Sequence, residues 1–293
     1  MIYGLIKKLS EDYPIGVLCK ILSVSKSAYY DFVGGKSWSD SAYQQSLKAE
    51  VKSIFEEHKR RYGSRRIVAE LRARGFNVGR DRIRSLMKQM ALVAIQPKSF
   101  IPRTTRSDPS NIRSPNLLLG REELCQKPRE ILVGDITYWP AEEGWLYLAT
   151  WMDLYSRRIL GWKLEQHMEA SLVVDAFKKV LLHGELPEEI IIHSDGGGQY
   201  KSLVFRGLLQ QSRARQSMTR IDNHYDNAFI ESLFSRVKAE MMDEFPYFKS
   251  KQEGQIRLFE YIDGYYNTKR RHSSIAYLSP IEYENRFEEG SLR

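Results

Sequence analysis

Cysteine is scarce. The 293 residues hold two, Cys19 and Cys125, far apart and with no CxxC partner, which excludes a disulfide framework and a cysteine-rich zinc site. Both read as small buried hydrophobes. Long apolar runs are also missing: no stretch approaches the roughly 18 to 20 residues that cross a bilayer. The opening MIYGLIKKLSEDYP is too short and too charged for a signal peptide, so a cytoplasmic location with no membrane partner is expected. There is no internal repeat and no low-complexity tract. The three glycines Gly196, Gly197 and Gly198 lack the Gly-Lys-Ser/Thr continuation of a phosphate-binding loop.

Acidic residues are scarce in one region only. Residues 58–121 contain 16 Lys and Arg against three acids, Glu70, Asp81 and Asp108, whereas the remainder holds 29 bases and 34 acids. The first region has the composition of a nucleic-acid footprint, and the rest has carboxylates to spare for a metal site. A composition of 42% hydrophobic, 12% aromatic and 28% charged residues belongs to an ordinary folded chain.

The chain divides by pattern into five stretches. In residues 1–40, the run from Pro14 to Phe32 reads as two short helices about a Ser23–Ser25 turn, either a helix-turn-helix-like segment or a helical hairpin that only packs. In 41–95, Leu47, Val51, Ile54 and Phe55 mark one helix, and two Arg-studded helices flank the Gly75–Gly79 turn. This is a basic helical domain suited to DNA, against the alternative of a solvated basic face. Arg65, Arg66, Arg80, Arg82 and Arg84 are its candidate contacts. Residues 96–128 form a basic linker with Pro97, Pro102, Pro109, Pro115 and Pro128, in which Arg103, Arg106 and Arg113 are spaced to follow a phosphate backbone.

From Arg129 the pattern becomes strand-like, in the runs REILVGDITYWP, WLYLATWMDLYS and RRILGWKLEQ. A helix is expected over 170–183, a buried strand at EEIIIHSD, a helix near 200–211 and a short strand near 214–219. Long helices should span 226–243 and 250–267. This order predicts an α/β fold, a mixed sheet with flanking helices, preceded by small all-α regions. A catalytic core over 129–250 and a separate C-terminal helix and basic tail over 251–293 complete the expected domains.

Three acids stand out within that core. Asp135 interrupts an apolar strand, where a carboxylate is costly unless paired or metal-bound. Asp195 ends the EIIIH strand, where open α/β sheets place ligand groups. Glu231 follows on a long helix.

The motifs VGDITY, HSDGGGQY, DNAFIESLFSRVKAE and YYNTKRRHSSIAYLSP, in this order and at these spacings, resemble insertion-sequence transposases of the OrfB type with a retroviral-integrase (DDE) catalytic core. The stretch YGSRRIVAELRARG is similar to the family's upstream helix-turn-helix, and the resemblance covers nearly the whole chain. It implies a ribonuclease H-like core in which Asp135, Asp195 and Glu231 hold two divalent cations, Mg²⁺ or, alternatively, Mn²⁺. Hard oxygen ligands suit such ions, and two of them roughly 4 Å apart stabilise both the attacking and the leaving oxygen of a phosphodiester displacement. The implied function is cleavage of element-end DNA and 3′-hydroxyl strand transfer into target DNA. The implied assembly is a homo-oligomer on double-stranded DNA, nucleoid-associated, with a possible OrfA fusion or partner.

Lys238 lies two helical turns after Glu231 and so on the same face, placed to grip a DNA phosphate. Phe229, Leu233, Val237 and Met241 form the packing stripe opposite. Asn223 and Asn227 are candidates for DNA contact or for capping this helix, a position that Asp226 fits as well. Arg270 and Arg271, in the Tyr265–Pro280 signature, read as DNA contacts in preference to a docking surface. His193 is read as a supporting residue and not as a metal ligand. Relatives often carry a basic residue and a serine where this chain has Gly196 and Gly198, which leaves the DNA contacts of that loop open. A tyrosine recombinase is disfavoured because the third residue after His272 is Ile275 and not arginine. A DNA-binding regulator with an inactive core would be expected to lack one of the acids, and all three are present.

Overall fold

A computed structural model describes residues 2–35, 41–97, 113–119, 125–221 and 223–291. Pro102, Pro109, Arg103 and Arg106 of the expected linker lie outside them. Three short helices open the chain: α1 (Ile2–Leu9), α2 (Ile15–Ile21) and α3 (Lys26–Val33). They close over a small core of Ile6, Leu18, Cys19 and Tyr29, which accounts for Cys19 as a packed hydrophobe.

A second helical group follows, α4 (Ala42–Glu57), α5 (Ser64–Ala73) and α6 (Arg80–Gln89). A Ser41/Gln44 capping box starts α4, satisfying two amides that the first helical turn leaves unpaired. The expected stripe of Leu47, Val51, Ile54 and Phe55 packs with Ile67, Leu71, Ile83 and Met87 into one core. The Gly75 turn is real, with φ +87°, a conformation that costs glycine little.

The rest of the described chain builds on one five-stranded sheet. Strands β1 (Ile131–Ala141), β2 (Gly144–Asp153) and β3 (Ile159–Glu165) form an antiparallel meander. After α7 (Ala170–Leu181), strand β4 (Ile191–Ser194) returns parallel to β1. Helices α8 (Gly198–Lys201) and α9 (Leu203–Gln211) lead to β5 (Arg215–Met218), parallel to β4. The order is β3-β2-β1-β4-β5, the ribonuclease H-like mixed sheet that the resemblance implied. Helices α10 (Ala228–Met242), α11 (Lys251–Tyr261) and α12 (Pro280–Glu288) end the chain.

Two cores sandwich the sheet. Period-two alternation sends Leu132, Ala149, Trp151 and Ile192 to the face covered by α7, α8 and α9. Ile131, Val133, Trp139, Leu148 and Met152 go to the other, with the α10 stripe of Ile230, Leu233, Phe234, Val237 and Met241. Trp151 sits opposite Gly134, and its ring lies 2.3 Å from where a Cβ would stand there. A glycine is therefore required one residue before Asp135.

Two expected boundaries are not packing boundaries. Leu258, Tyr261, Ile262 and Tyr266 join the α10 core, so the chain after residue 250 is part of the catalytic fold and not a separate tail. Leu118, assigned to the linker, is 4% exposed in the same core. Helix α12 is tied to the β2–β3 connection, where Glu284 receives Arg158 at 2.5 Å and the Ser156 hydroxyl at 2.8 Å. No helix among the described residues is long and apolar enough to cross a membrane.

Candidate active site

Alternation along β1 decides where Asp135 points. It shares parity with Ile131, Val133 and Trp139, and so faces α10. Its carboxyl sits well above the usual carboxylate range because burial penalises its charge. The charge of Asp195 adds to this, as does that of Glu231 more weakly, while the Ile136 amide and Lys238 oppose it. Asp195, one residue past β4, is also shifted upward by burial. The Gly197 amide, donating to Oδ1 at 3.0 Å, and the charges of Arg113 and Lys201 pull the other way. Tyr200, 1% exposed, lies close enough for both aspartates to act on its hydroxyl.

Glu231 is exposed in the first turn of α10. Lys238 is half-buried on the same helix, its Nζ 4.4 Å from the centre of the Tyr138 ring and within the field of Asp135. Burial lowers its affinity for a proton and Asp135 restores part of it. The fold thus gathers Asp135, Asp195, Glu231 and Lys238 from β1, the end of β4 and α10. Among the described residues no three His, Cys, Asp or Glu side chains stand ready as a metal cage. The donor chemistry nonetheless fits a hard cation: two mutually repelling carboxylates are partly withdrawn from water, and a third is exposed on the first turn of α10.

His193 is fully committed elsewhere. Its Nε2–H donates to the Asp226 carbonyl at 3.0 Å, and its Nδ1 accepts from the Ser217 hydroxyl at 2.8 Å. Burial holds its pKa down to about 4, so the ring is neutral, and the carbonyl facing Nε2 assigns the donor role to that nitrogen and the acceptor role to Nδ1. It joins β4, β5 and the approach to α10, a supporting role as the sequence suggested.

The other candidate residues scatter. Arg65, Arg80, Arg82 and Arg84 are exposed on α5 and α6, with Arg82 over the Tyr43 ring at 5.4 Å. Arg66 instead donates through Nε to the Arg271 carbonyl at 2.8 Å, and burial lowers its pKa to about 10. Asn227 is 5% exposed, with Nδ2 at 3.4 Å from the Gly134 carbonyl. It is the residue before α10 but makes no side-chain cap. Asn223 is half-buried. The Asp226 carboxylate does not cap α10 either: it takes hydrogen bonds from Arg220 and Asn116.

The two arginines of the Tyr265–Pro280 signature correct the sequence reading. Arg270 is 1% exposed and paired with Glu240 at 2.6 Å, where Tyr261 also donates at 2.8 Å. Arg271 pairs with Glu70 of α5 at 2.5 Å. Tyr62 receives the Arg271 amide at 2.7 Å and donates to the Lys269 carbonyl. His58 stacks on Tyr62 at 3.7 Å. The signature is a dock between the basic helices and the sheet, and neither guanidinium is presented to DNA.

Comparison with known proteins matches this division. An integrase core domain model covers residues 126–224, a second integrase core domain model covers 231–287, and an HTH-like domain model covers 42–100. The chain is 33% identical over 288 residues to transposase InsF for insertion sequence IS3A of Escherichia coli strain K12, spanning 98% of this chain and 99% of that one. It belongs to the IS3 family of insertion-sequence transposases. The transposase for insertion sequence element IS904 of Lactococcus lactis subsp. lactis strain IL1403 is 36% identical over 241 residues, 82% of this chain and 94% of the relative. Among solved structures, the HTLV-2 integrase catalytic core domain in complex with magnesium aligns with a TM-score of 0.42 at 15% identity, over 54% of this chain and 98% of that one. By its family and its two integrase core domain matches, this transposase is a polynucleotidyl transferase with a DDE core, acting on DNA.

Proposed function

We propose that this transposase cuts the phosphodiester bond at each end of its element and joins the freed 3′-hydroxyl to target DNA. Asp135, Asp195 and Glu231 would hold Mg²⁺, with Mn²⁺ as a substitute and two ions in the working site. The observation that carries this reading is the crowding of Asp135 by Asp195 and Glu231 with Lys238 alongside. Such a cluster is electrostatically unfavourable by itself and is relieved by divalent charge. When bound, the cations supply charge stabilisation for the attacking and leaving oxygens.

The chain's own residues do the rest. Asp135 is fixed by the strand, Asp195 by its Gly197 hydrogen bond, and Glu231 by the first turn of α10. Lys238 holds a non-bridging phosphate oxygen beside them. In the first step, a water oxygen bonds to phosphorus and the 3′ oxygen leaves as a hydroxyl, the water's second proton passing to solvent. In the second, that 3′-hydroxyl gives up its proton to solvent as its oxygen bonds to a target phosphorus, while the target's own 3′ oxygen leaves and takes up a proton. Both steps exchange one P–O bond for another, and no covalent protein intermediate is needed. Arg65, Arg80, Arg82 and Arg84 supply exposed positive charge for duplex DNA. Two ends must be held together for insertion, so a homo-oligomer on DNA is proposed, with an OrfA product as a candidate partner.

Labelled element-end DNA incubated with the protein and Mg²⁺ tests this. Nicked and joined products are expected, and chelation should remove both. Absence of both products with Mg²⁺ and with Mn²⁺ would contradict the proposal.

A further inference from the structure

Residues 113–118 lie along β5 and touch the elements on two sides of the acidic cluster. The Ser114 hydroxyl donates to Gln216 Oε1 at 2.8 Å, the Met218 amide to the Pro115 carbonyl at 3.3 Å, and the Leu117 amide to the Ser217 hydroxyl at 2.9 Å. Leu118 plugs the core. Asn116 Nδ2 reaches Asp226 at 2.8 Å, on the approach to the helix of Glu231.

Arg113 reaches the other side. Its Nη2 donates to Thr219 Oγ1 at 3.0 Å, and the Thr219 amide donates to the Ser194 carbonyl at 3.0 Å, next to Asp195. Its guanidinium occupies the place of a side chain at Gly196: a Cβ there would lie 2.5 Å from Cζ and from Nη2, and 2.9 Å from Nε. Nε is buried and has no partner among the described residues. The residue is half-buried and leaves Nε unpaired among the described residues, a desolvation cost that a residue serving only as a connector would avoid. Position 196 has no positive φ to demand glycine. A side chain at 196 would displace the guanidinium from this seat.

We propose that Arg113 is a positioning residue of the active site: seated on Gly196, it clamps the Asp195 loop to β5 and holds Asp195 in register with Asp135. The strap that carries it follows the basic helical domain in the chain, so the linker completes the catalytic site in addition to connecting it. The functional half rests on the reading of Asp195 as a metal ligand; the clamp itself does not.

The test compares Arg113→Ala, Arg113→Lys, Gly196→Ala and the Arg113→Ala/Gly196→Ala double variant in the full chain. Amide hydrogen exchange over residues 195–201 is expected to quicken by about tenfold in Arg113→Ala and in Gly196→Ala, with other peptides unchanged. The double variant should be no faster than either single one, since both remove one contact. Single-turnover cleavage at saturating end DNA should fall by roughly tenfold with DNA affinity within about threefold, and Lys should recover part of the rate. Unchanged exchange in Arg113→Ala, or additive effects in the double variant, would overturn the clamp whatever the activity. Quickened exchange with an unaltered cleavage rate would overturn its catalytic role. Loss of cleavage in the unsubstituted protein would count against the metal-site reading and leave the exchange result to decide the clamp.

Discussion

Asp195→Asn is expected to lower Mg²⁺-dependent cleavage by at least roughly 1,000-fold, since it removes a charged ligand from the reacting centre. Binding to end DNA should be nearly unchanged, because the exposed arginines of α5 and α6 are untouched. The same change should raise the melting temperature of the metal-free protein at pH 7. The sign follows from the upward shift of Asp195. A carboxyl whose folded pKa lies above its unfolded value is penalised when ionised, so the fold loses stability as pH rises from the unfolded value through the folded one. Asn carries no such penalty, and its advantage should fade as pH falls toward the unfolded carboxylate range. Thermal melts at pH 7 and near pH 4, with cleavage assays alongside, check both halves. A variant that is inactive and also less stable at pH 7 would show that Asp195 supports the fold more than the chemistry.

Glu240→Ala should be the most damaging single change to stability, costing about 3 to 5 kcal/mol, as expected when one member of a buried ion pair is removed. Glu240 and Arg270 are each 1% exposed, and the variant leaves a guanidinium in the core with its carboxylate gone. Burial pushes the Glu240 carboxyl up, but the charge and hydrogen bonds of Arg270, with Arg66 and Tyr261, outweigh it and the net shift is downward. Its contribution is therefore present above the unfolded carboxylate value and lost as pH falls through the folded one. At roughly 2 to 3 °C per kcal/mol, the melting temperature should drop by about 6 to 15 °C. Glu240→Met/Arg270→Met should recover most of that loss, because an apolar pair needs no desolvated partner. A double variant as unstable as Glu240→Ala would place the effect in packing and not in the unpaired charge.

The parts of this site that were legible in the sequence are those set by local periodicity. The apolar run ILVGDITYW marked Asp135 as a carboxylate in mid-strand, and the seven-residue interval set Lys238 beside Glu231. The strand ending at Ser194 located Asp195. What escaped depended on distant partners. The run KRRH looks solvent-seeking, yet Arg270 finds Glu240 thirty positions earlier and Arg271 finds Glu70 two hundred positions away. No local pattern reports such pairs. Helix α12 was missed although Ser279, Pro280 and Glu282 spell a capping box with proline at the first turn. Helix α1 was read only as an unsuitable signal peptide, although it packs Ile6 against Leu18 and Tyr29. Arg113 was visible as a basic linker residue, but its seat on Gly196 exists only once β4 and β5 are side by side.

Glu231 is the member of the triad most open to solvent in the metal-free fold, and so the one on which the metal assignment turns. Electron paramagnetic resonance of Mn²⁺ titrated into the unsubstituted protein and into Glu231→Gln, each with element-end DNA, reads its role directly. The account expects two ions per chain in the former and at least tenfold weaker binding in the latter, roughly the cost of losing one charged oxygen ligand. Equal Mn²⁺ affinity in the two proteins would contradict it.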